Sequence, residues 1–400
     1  MKSSPWPLTP KERQQVLDTL RFDYFKWDIN AVGKCLVLPE SMVLTQAEHQ
    51  RVITVVERFA NILAKLEREI SQDAELLRYL GIPAPVIPLI QAEPEQALQI
   101  ARYDLFPTDD GRWMVSEFNE DVPGGFNEAI GLPELLGEQL NNGARFQGRL
   151  DQAFLQALQP WERVAFMFAT GYSEDLQHML ILEKLLKEAG HETELCSPAH
   201  LKANWLGQAH IMGRRFDAGF RFYPGEWLPM LANLKDWQKV VARFPVMNPL
   251  RRLIRQSKRL FIHWAKPGVL DEDDRNFVEE YAPASVEFDP AHIPQWQAER
   301  DDWVLKHAFG RMGDSVVMGC LVDAPAWDQA LQEASKTPQD FLMQRCFRNT
   351  PLTFATGQLY PAIGAFLING KFAGYYSRAA EQPFLTHEAY HVTTLVEKAA

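Results

Sequence analysis

Behind Thr45 the apolar positions Val52, Val55, Val56, Phe59, Ile62, Leu63 and Leu66 fall on one face of a 3.6-residue period. Thr45-Gln46-Ala47-Glu48 precedes them with capping-box spacing, so hydroxyl and carboxylate can each close on the other's backbone N–H. The two signals predict a helix from Thr45 to Ile70. A short second helix should end near Gly81, and the proline-rich stretch through Pro83 and Pro85 to Pro88 reads as a connector. A further helix is expected near Asn127 to Leu140, after Pro123-Gly124-Gly125. Val164 to Ala169 is an apolar run of strand length, and Gly171-Tyr172-Ser173 reads as a turn. Ser173 is placed to cap a helix that carries Glu174 and Asp175 in its first turn. Leu176, Leu180, Leu182, Leu185 and Leu186 form its apolar surface, and Gly190 stands where a C-terminal glycine belongs. Thr193 to Cys196 then reads as a second strand, giving a β-α-β unit and a small parallel sheet between residues 160 and 245. From Trp303 strands return: Trp303 to Lys306, Ser315 to Met318, and a hairpin of Ala362 to Ile368 and Phe372 to Tyr376 around Asn369-Gly370.

One hairpin carries chemistry. Arg102-Tyr103-Asp104 and Glu117-Phe118-Asn119 flank Asp110-Gly111. Asp-Gly suits a two-residue turn because both central residues need positive φ. Such a turn pairs Asp109 with Arg112, Phe106 with Val115, Asp104 with Glu117 and Arg102 with Asn119. Facing carboxylates repel each other, and a divalent cation between them removes the conflict. Oxygen ligands from Asp104, Glu117 and Asn119 suit Mg²⁺, which keeps waters and takes substrate phosphates as further ligands. The hairpin reads as a Mg-nucleotide platform with Arg102 beside it.

Four hundred residues are enough for two or three domains. No apolar run of about 18 residues is present, so no membrane span is expected. The polar, proline-rich stretch Met1 to Pro10 lacks the apolar core of a signal peptide. Cys35, Cys196, Cys320 and Cys346 are scattered without a C-x-x-C pair, which suits a reducing cytoplasm and argues against a disulfide scaffold or a cysteine zinc site. A net charge of −11 argues against general nucleic-acid binding. Against that balance stands one basic cluster, Arg251, Arg252, Arg255, Lys258 and Arg259. It reads as a solvated helix face from which one or two members could reach an anion.

Other segments offer weaker signals. Lys306, Gly310, Arg311, Met312 and Gly313 belong to a loop between strands, where glycines admit phosphate to backbone N–H groups and the cations supply charge. A plain turn gives the same pattern. Arg378 follows the last hairpin strand and could be a surface charge. Tyr223 to Trp227 could line a pocket or pack as an aromatic turn. His387-Glu388-Ala389-Tyr390-His391 matches the HExxH pattern of zinc proteases. The β-branched residues after it continue a helix poorly, and no His, Cys or Asp follows to serve as third ligand.

Taken in order, Arg102-Tyr-Asp104 to Glu117-Phe-Asn119, Asn248-Pro249 to Ser257-Lys258, Lys306 to Gly313, and Pro361 to Arg378 resemble the synthetase domain of the glutathionylspermidine synthases. That family lies within the ATP-grasp ligases, and the order is similar to the circularly permuted form of eukaryotic glutathione synthetases. The resemblance covers most of the chain from about residue 20. It implies an α/β (α+β) ATP-grasp fold with a helical N-terminal segment and a small parallel-sheet pre-ATP-grasp-like domain. The implied division is 1–95 as helical support, 96–160 as the metal-binding hairpin part, 161–247 as the small β-α-β domain and 248–400 as the nucleotide-binding part. It also implies ATP and Mg²⁺ as cofactors, with Asp104, Glu117 and Asn119 on the metal and Arg102 and Arg378 on the transferred phosphate. Lys258 and Lys306 match the two ATP-phosphate lysines, Gly310 to Gly313 the closing loop, and Gln344, Arg345 and onward to Phe347 the adenine-binding linker. The implied activity is an ADP-forming ligase that joins a small or peptide-like carboxylate to an amine through an acyl phosphate. The partners are then small molecules, with no nucleic acid and no membrane. His307 stands in place of a usual proline, Tyr223 to Trp227 lacks a lysine the family often has, and no amidase segment is seen, so acid and amine stay open. A nucleotide-binding relative without ligase activity and an HExxH metalloprotease are the competing readings.

Overall fold

In the computed structural model, which describes residues 1–31, 33–95, 98–137, 139–140, 143–310 and 316–398, the Thr45 capping box is formed. Thr45 accepts from the Glu48 N–H, and Glu48 accepts from the Thr45 N–H at 2.8 Å. The helix Gln46–Ile70 follows and buries Val52, Val55, Val56, Phe59, Ile62, Leu63 and Leu66, the face the periodicity marks. The short helix Ala74–Tyr79 ends before Gly81, whose φ of +84° reverses the chain. The expected connector to Pro88 is corrected: Ile87–Ala92 is a helix, with Pro88 in its first turn where a missing N–H costs nothing.

The helical reading of the first ninety or so residues also missed strands. Lys2–Pro5 pairs antiparallel with Val37–Leu44, which pairs parallel with Tyr390–Glu397. Val37–Leu44 is central and covered on both faces, so it lacks the alternation of a half-exposed strand. Pro39 would argue against a central strand, but the register with Tyr390–Glu397 shifts around it, so its missing N–H breaks no regular ladder. The resulting ten-stranded sheet runs Lys2–Pro5, Val37–Leu44, Tyr390–Glu397, Ser377–Ala380, Gly357–Ile368, Ile100–Pro107, Trp113–Asn119, with three short strands off this path. It draws on both ends of the chain.

The β-α-β unit is present. Glu192–Cys196, Arg163–Phe168, Ala218–Phe222 and Val246–Met247 lie side by side and all parallel. The helix Ser173–Glu188 crosses between the first two, but Tyr172 occupies its N-cap and Ser173 is already its first helical residue. A third sheet, antiparallel, is ordered Ser285–Glu287, Phe341–Arg345, Trp303–His307, Val316–Met318. No helix among the described residues is long and apolar enough to cross a membrane.

Asn248 fastens the parallel sheet to the large one. It sits at φ +59°, accepts from the Ile100 N–H at 2.9 Å and donates to the Asp121 carbonyl at 3.2 Å. Beneath it the fully buried Arg221 pairs with Asp121 at 2.6 Å and donates to the Asn248 carbonyl at 2.9 Å. The basic cluster belongs to the same seam. Arg251, Arg252, Arg255, Lys258 and Arg259 are all buried, which corrects the solvated-face reading. Glu67 lies 2.6 Å from Arg252, 2.5 Å from Arg255 and 3.9 Å from Arg251, and Glu120 lies 3.5 Å from Arg255. The helix is too short for periodicity to reveal that acidic partners from distant segments would cover its cations.

Candidate functional site

The hairpin forms with a turn one residue longer than expected. Thr108 donates to the Arg112 carbonyl at 2.9 Å, so the loop is Asp109-Asp110-Gly111 and only Gly111 needs positive φ, +81°. Phe106 therefore pairs with Met114, not Val115, and Asp109 does not pair with Arg112. A bulge then restores the count, because Ser116 and Glu117 together oppose the single residue Asp104. Arg102 ends up opposite Asn119, as the sequence suggested.

On its other side Asp104 faces Gly364 of Gly357–Ile368. A Cβ there would stand 1.9 Å from the Tyr376 carbonyl oxygen and 2.9 Å from Asp104 Oδ1, so only glycine leaves room for the carboxylate. Arg102 grips Asp104 with two bonds, Nε to Oδ1 at 2.8 Å and Nη2 to Oδ2 at 3.0 Å. Arg378 adds a third to Oδ2 at 3.0 Å. Burial pushes the Asp104 carboxyl up, but the two guanidinium groups outweigh it and hold the group below its ordinary range. Glu117 meets Lys258 at 3.1 Å. Burial raises its pKa and the Asp104 charge adds to that, yet Lys258 and Lys306 keep it lowered, so both carboxylates stay ionised. Asn119 carries a buried Nδ2 without a hydrogen-bond partner among the described residues.

These side chains open onto a cavity of roughly 690 Å³ where the three sheets meet. Arg102, Asp104, Glu117, Asn119 and Arg378 line it from the large sheet, and Lys306, Gln344 and Arg345 from the antiparallel sheet. Phe222, Pro224 and Trp227 follow the carboxyl end of a parallel strand, where open α/β sheets present ligand sites. Lys306 is buried and donates to the Ser116 carbonyl at 3.3 Å, and burial lowers its ammonium to about 8. Lys258 stands behind Glu117 and donates to the Gly310 carbonyl at 2.7 Å. Gln344 is fixed by a bond to Ser285 Oγ at 3.1 Å, and the Arg345 guanidinium lies 4.0 Å over the Trp303 ring. Arg311, Met312 and Gly313 lie outside the described residues.

A second group of lining residues carries no signal in the sequence that ties it to the hairpin, His391 being marked there only as part of HExxH. Lys26 Nζ bridges Glu128 and Asp28, each at 2.8 Å. His391 Nδ1 meets the Tyr376 hydroxyl at 2.9 Å and Glu128 Oε1 at 3.3 Å. His178 Nδ1 meets Asn127 Oδ1 at 2.7 Å, and burial lowers its pKa to about 4. These residues come from five separate segments and share no motif. Gly364 did leave a trace, as an isolated glycine inside an apolar strand.

The HExxH segment is not a helix. His391 lies in the strand Tyr390–Glu397 and is buried, while His387 is exposed in the turn before it. The helical face that would present both imidazoles to zinc is missing, and the metalloprotease reading falls. Among the described residues no group of three or more His, Cys, Asp or Glu side chains could hold a metal ion. The hairpin set differs in having two carboxylates and an amide.

No curated protein sequence matches the chain. Among solved structures, a glutathione synthetase-like effector from Globodera pallida in apo form is similar over 98% of this chain and 99% of its own, with 13% identity and a TM-score of 0.65. A putative gamma-glutamylcysteine synthetase from Methylobacillus flagellatus KT is similar over 86% of this chain and 87% of its own, with 10% identity and a TM-score of 0.47. The ATP-grasp ligase PsnB complexed with a minimal precursor is similar over 60% of this chain and 90% of its own, at 13% identity and a TM-score of 0.33. The first of these supports the mixed α/β architecture as a whole. The sequence model described as "Glutathionylspermidine synthase preATP-grasp" matches residues 8–397. With nearly its whole length matched, the chain belongs to the glutathionylspermidine synthase preATP-grasp family.

Proposed function

We propose that this protein is an ATP-dependent, ADP-forming ligase that joins a carboxylate to an amine through an acyl phosphate. The observation that carries the reading is the arrangement of ionised Asp104 and Glu117 beside Asn119 on one wall of a cavity, with Arg102, Arg378 and Lys306 around them. Family membership supports the same class.

The residues fit a hard divalent cation. Their side-chain ligand atoms are carboxylate and amide oxygens, and both carboxylates are held deprotonated. When bound, magnesium would draw charge from the nucleotide phosphates and align them for attack. Asp104, Glu117 and Asn119 would hold it. Lys306 and Lys258 would take the nucleotide phosphates, which releases Lys258 from Glu117. Arg378, the more exposed of the two arginines on Asp104, would turn to the transferred phosphoryl group as its equatorial charge grows. Arg102, tied to Asp104 and to the Gly124 carbonyl at 2.6 Å, would hold the carboxylate in place and lend charge from behind. Gln344 and Arg345 would face the base. The division into helical support, metal hairpin, small β-α-β domain and nucleotide part is proposed on the same footing.

A screen of acids paired with amines, scored by ADP release and by mass spectrometry of the product, tests the reading. An amide product with one ADP per bond is the expected result. AMP in place of ADP, or nucleotide hydrolysis indifferent to both substrates, overturns it.

A further inference from the structure

The fold brings together two cysteines that the sequence keeps apart. Cys320 lies in the single turn Gly319–Leu321 after the edge strand Val316–Met318, and Cys346 follows the inner strand Phe341–Arg345. Both strands flank Trp303–His307. Beneath the start of that central strand the two Sγ atoms stand 3.9 Å apart, unbonded. The backbone fixes both positions. The Cys346 N–H donates to the Asp302 carbonyl at 2.8 Å, and Gly319 lies so close to Arg300 that a Cβ would stand 2.0 Å from its carbonyl oxygen. Cys320 is exposed and Cys346 partly buried.

We propose that Cys320 and Cys346 are a reversible disulfide site, oxidised by low-molecular-weight disulfides, that locks the wall of the cavity carried by the antiparallel sheet. The lining residue Met318 lies two positions before Cys320, and the lining residues Arg345 and Phe347 flank Cys346. Closing the bond draws the sulfurs from 3.9 Å to about 2.05 Å. The strands Val316–Met318 and Phe341–Arg345, on either side of Trp303–His307, are then tied at their ends, and the lining side chains beside them move with the tie.

The chemistry balances as two exchanges. The Cys320 thiolate attacks one sulfur of the small disulfide, forms a mixed disulfide and expels one small thiolate. Cys346 loses its proton to solvent, attacks the Cys320 sulfur and expels the second. Two protein thiols are oxidised and one small disulfide is reduced to two thiols. Burial pushes the Cys346 thiol up, with the Cys320 neighbour adding to the effect, so Cys320 is the sulfur that reacts first.

The test uses the full chain and glutathione disulfide, followed by alkylation and peptide mapping. The expected product joins the Cys320 and Cys346 peptides, is reversed by dithiothreitol, and is absent from Cys320→Ser and Cys346→Ser, while Cys35 and Cys196 are alkylated throughout. Alkylation of both Cys320 and Cys346 after treatment, or a stable glutathione adduct on Cys320 without a bridge, overturns the site. The link to nucleotide rests on the ligase reading and is measured separately by equilibrium dialysis with ATP. Several-fold weaker binding in the bridged protein, unchanged in either serine variant, is expected. Equal binding in bridged and reduced protein overturns the locking. If neither form binds ATP, the ligase reading falls, and the peptide map still decides the disulfide.

Discussion

Asp104 shows how much one side chain carries here. Its two oxygens accept three bonds from two arginines, which keep it charged inside the protein. Asp104→Asn, Glu117→Gln and Arg378→Ala should each cut amine-dependent ADP release by about a hundredfold or more. Near-normal rates in all three would remove the site. Glu67 carries as much for stability. Three arginines lie within 4 Å of its carboxylate, and all four residues are buried. Removing one partner of such a group leaves uncompensated buried charge, so Glu67→Ala should cost about 3–5 kcal/mol. Urea denaturation reads that loss, and a midpoint equal to wild type would show that water satisfies the arginines.

At the scale of elements, the crossing of Ile100–Pro107 by Gly357–Ile368 works only with glycine at position 364. Gly364→Ala should push Asp104 or the Tyr376 backbone out of place and lower activity more than Gly171→Ala, whose Cβ would meet nothing within 4 Å on a backbone without positive φ. Equal activity in the two variants would mean that the crossing relaxes freely. The helices Phe126–Leu136 and Ser173–Glu188 are joined by the Asn127–His178 bond. The His178 pKa falls from 6.5 to about 4 on folding. Between those values the unfolded chain binds a proton that the folded chain does not, so the group's contribution, fully present above 6.5, is lost as pH falls toward 4. The loss amounts to about 3 kcal/mol, and His178→Gln should flatten that part of a stability–pH curve. An unchanged curve in the variant would assign the acid sensitivity to other groups.

For the whole molecule, the cavity exists only where three sheets converge, so its function is a property of the assembled chain. Chelation of divalent cations with EDTA should abolish ADP release and leave the fold intact by circular dichroism, with activity restored by Mg²⁺. Full activity in EDTA would remove the metal from the mechanism. The legibility of this molecule also varied with scale. Capping, helical periodicity, the Asn369-Gly370 hairpin and the β-α-β unit were readable because each rests on contacts within a few residues. The Arg102–Asn119 pairing was readable although the turn is one residue longer than expected and the bulge leaves no signal in the sequence, since the two one-residue shifts cancel.

The sequence by itself determined the local elements and the hairpin that carries Arg102, Asp104, Glu117 and Asn119, because propensity, capping and turn chemistry act over short stretches of chain. Tertiary structure alone decided that the basic cluster is buried, with Arg251, Arg252 and Arg255 against Glu67 and Glu120, Lys258 against Glu117 and Arg259 against Glu287, and that Val37–Leu44 is a central strand. It also decided that Lys26, Glu128, His178 and His391 share the cavity. In each case the partners lie tens to hundreds of residues apart, and the burial that selects them exists only after the sheets have met.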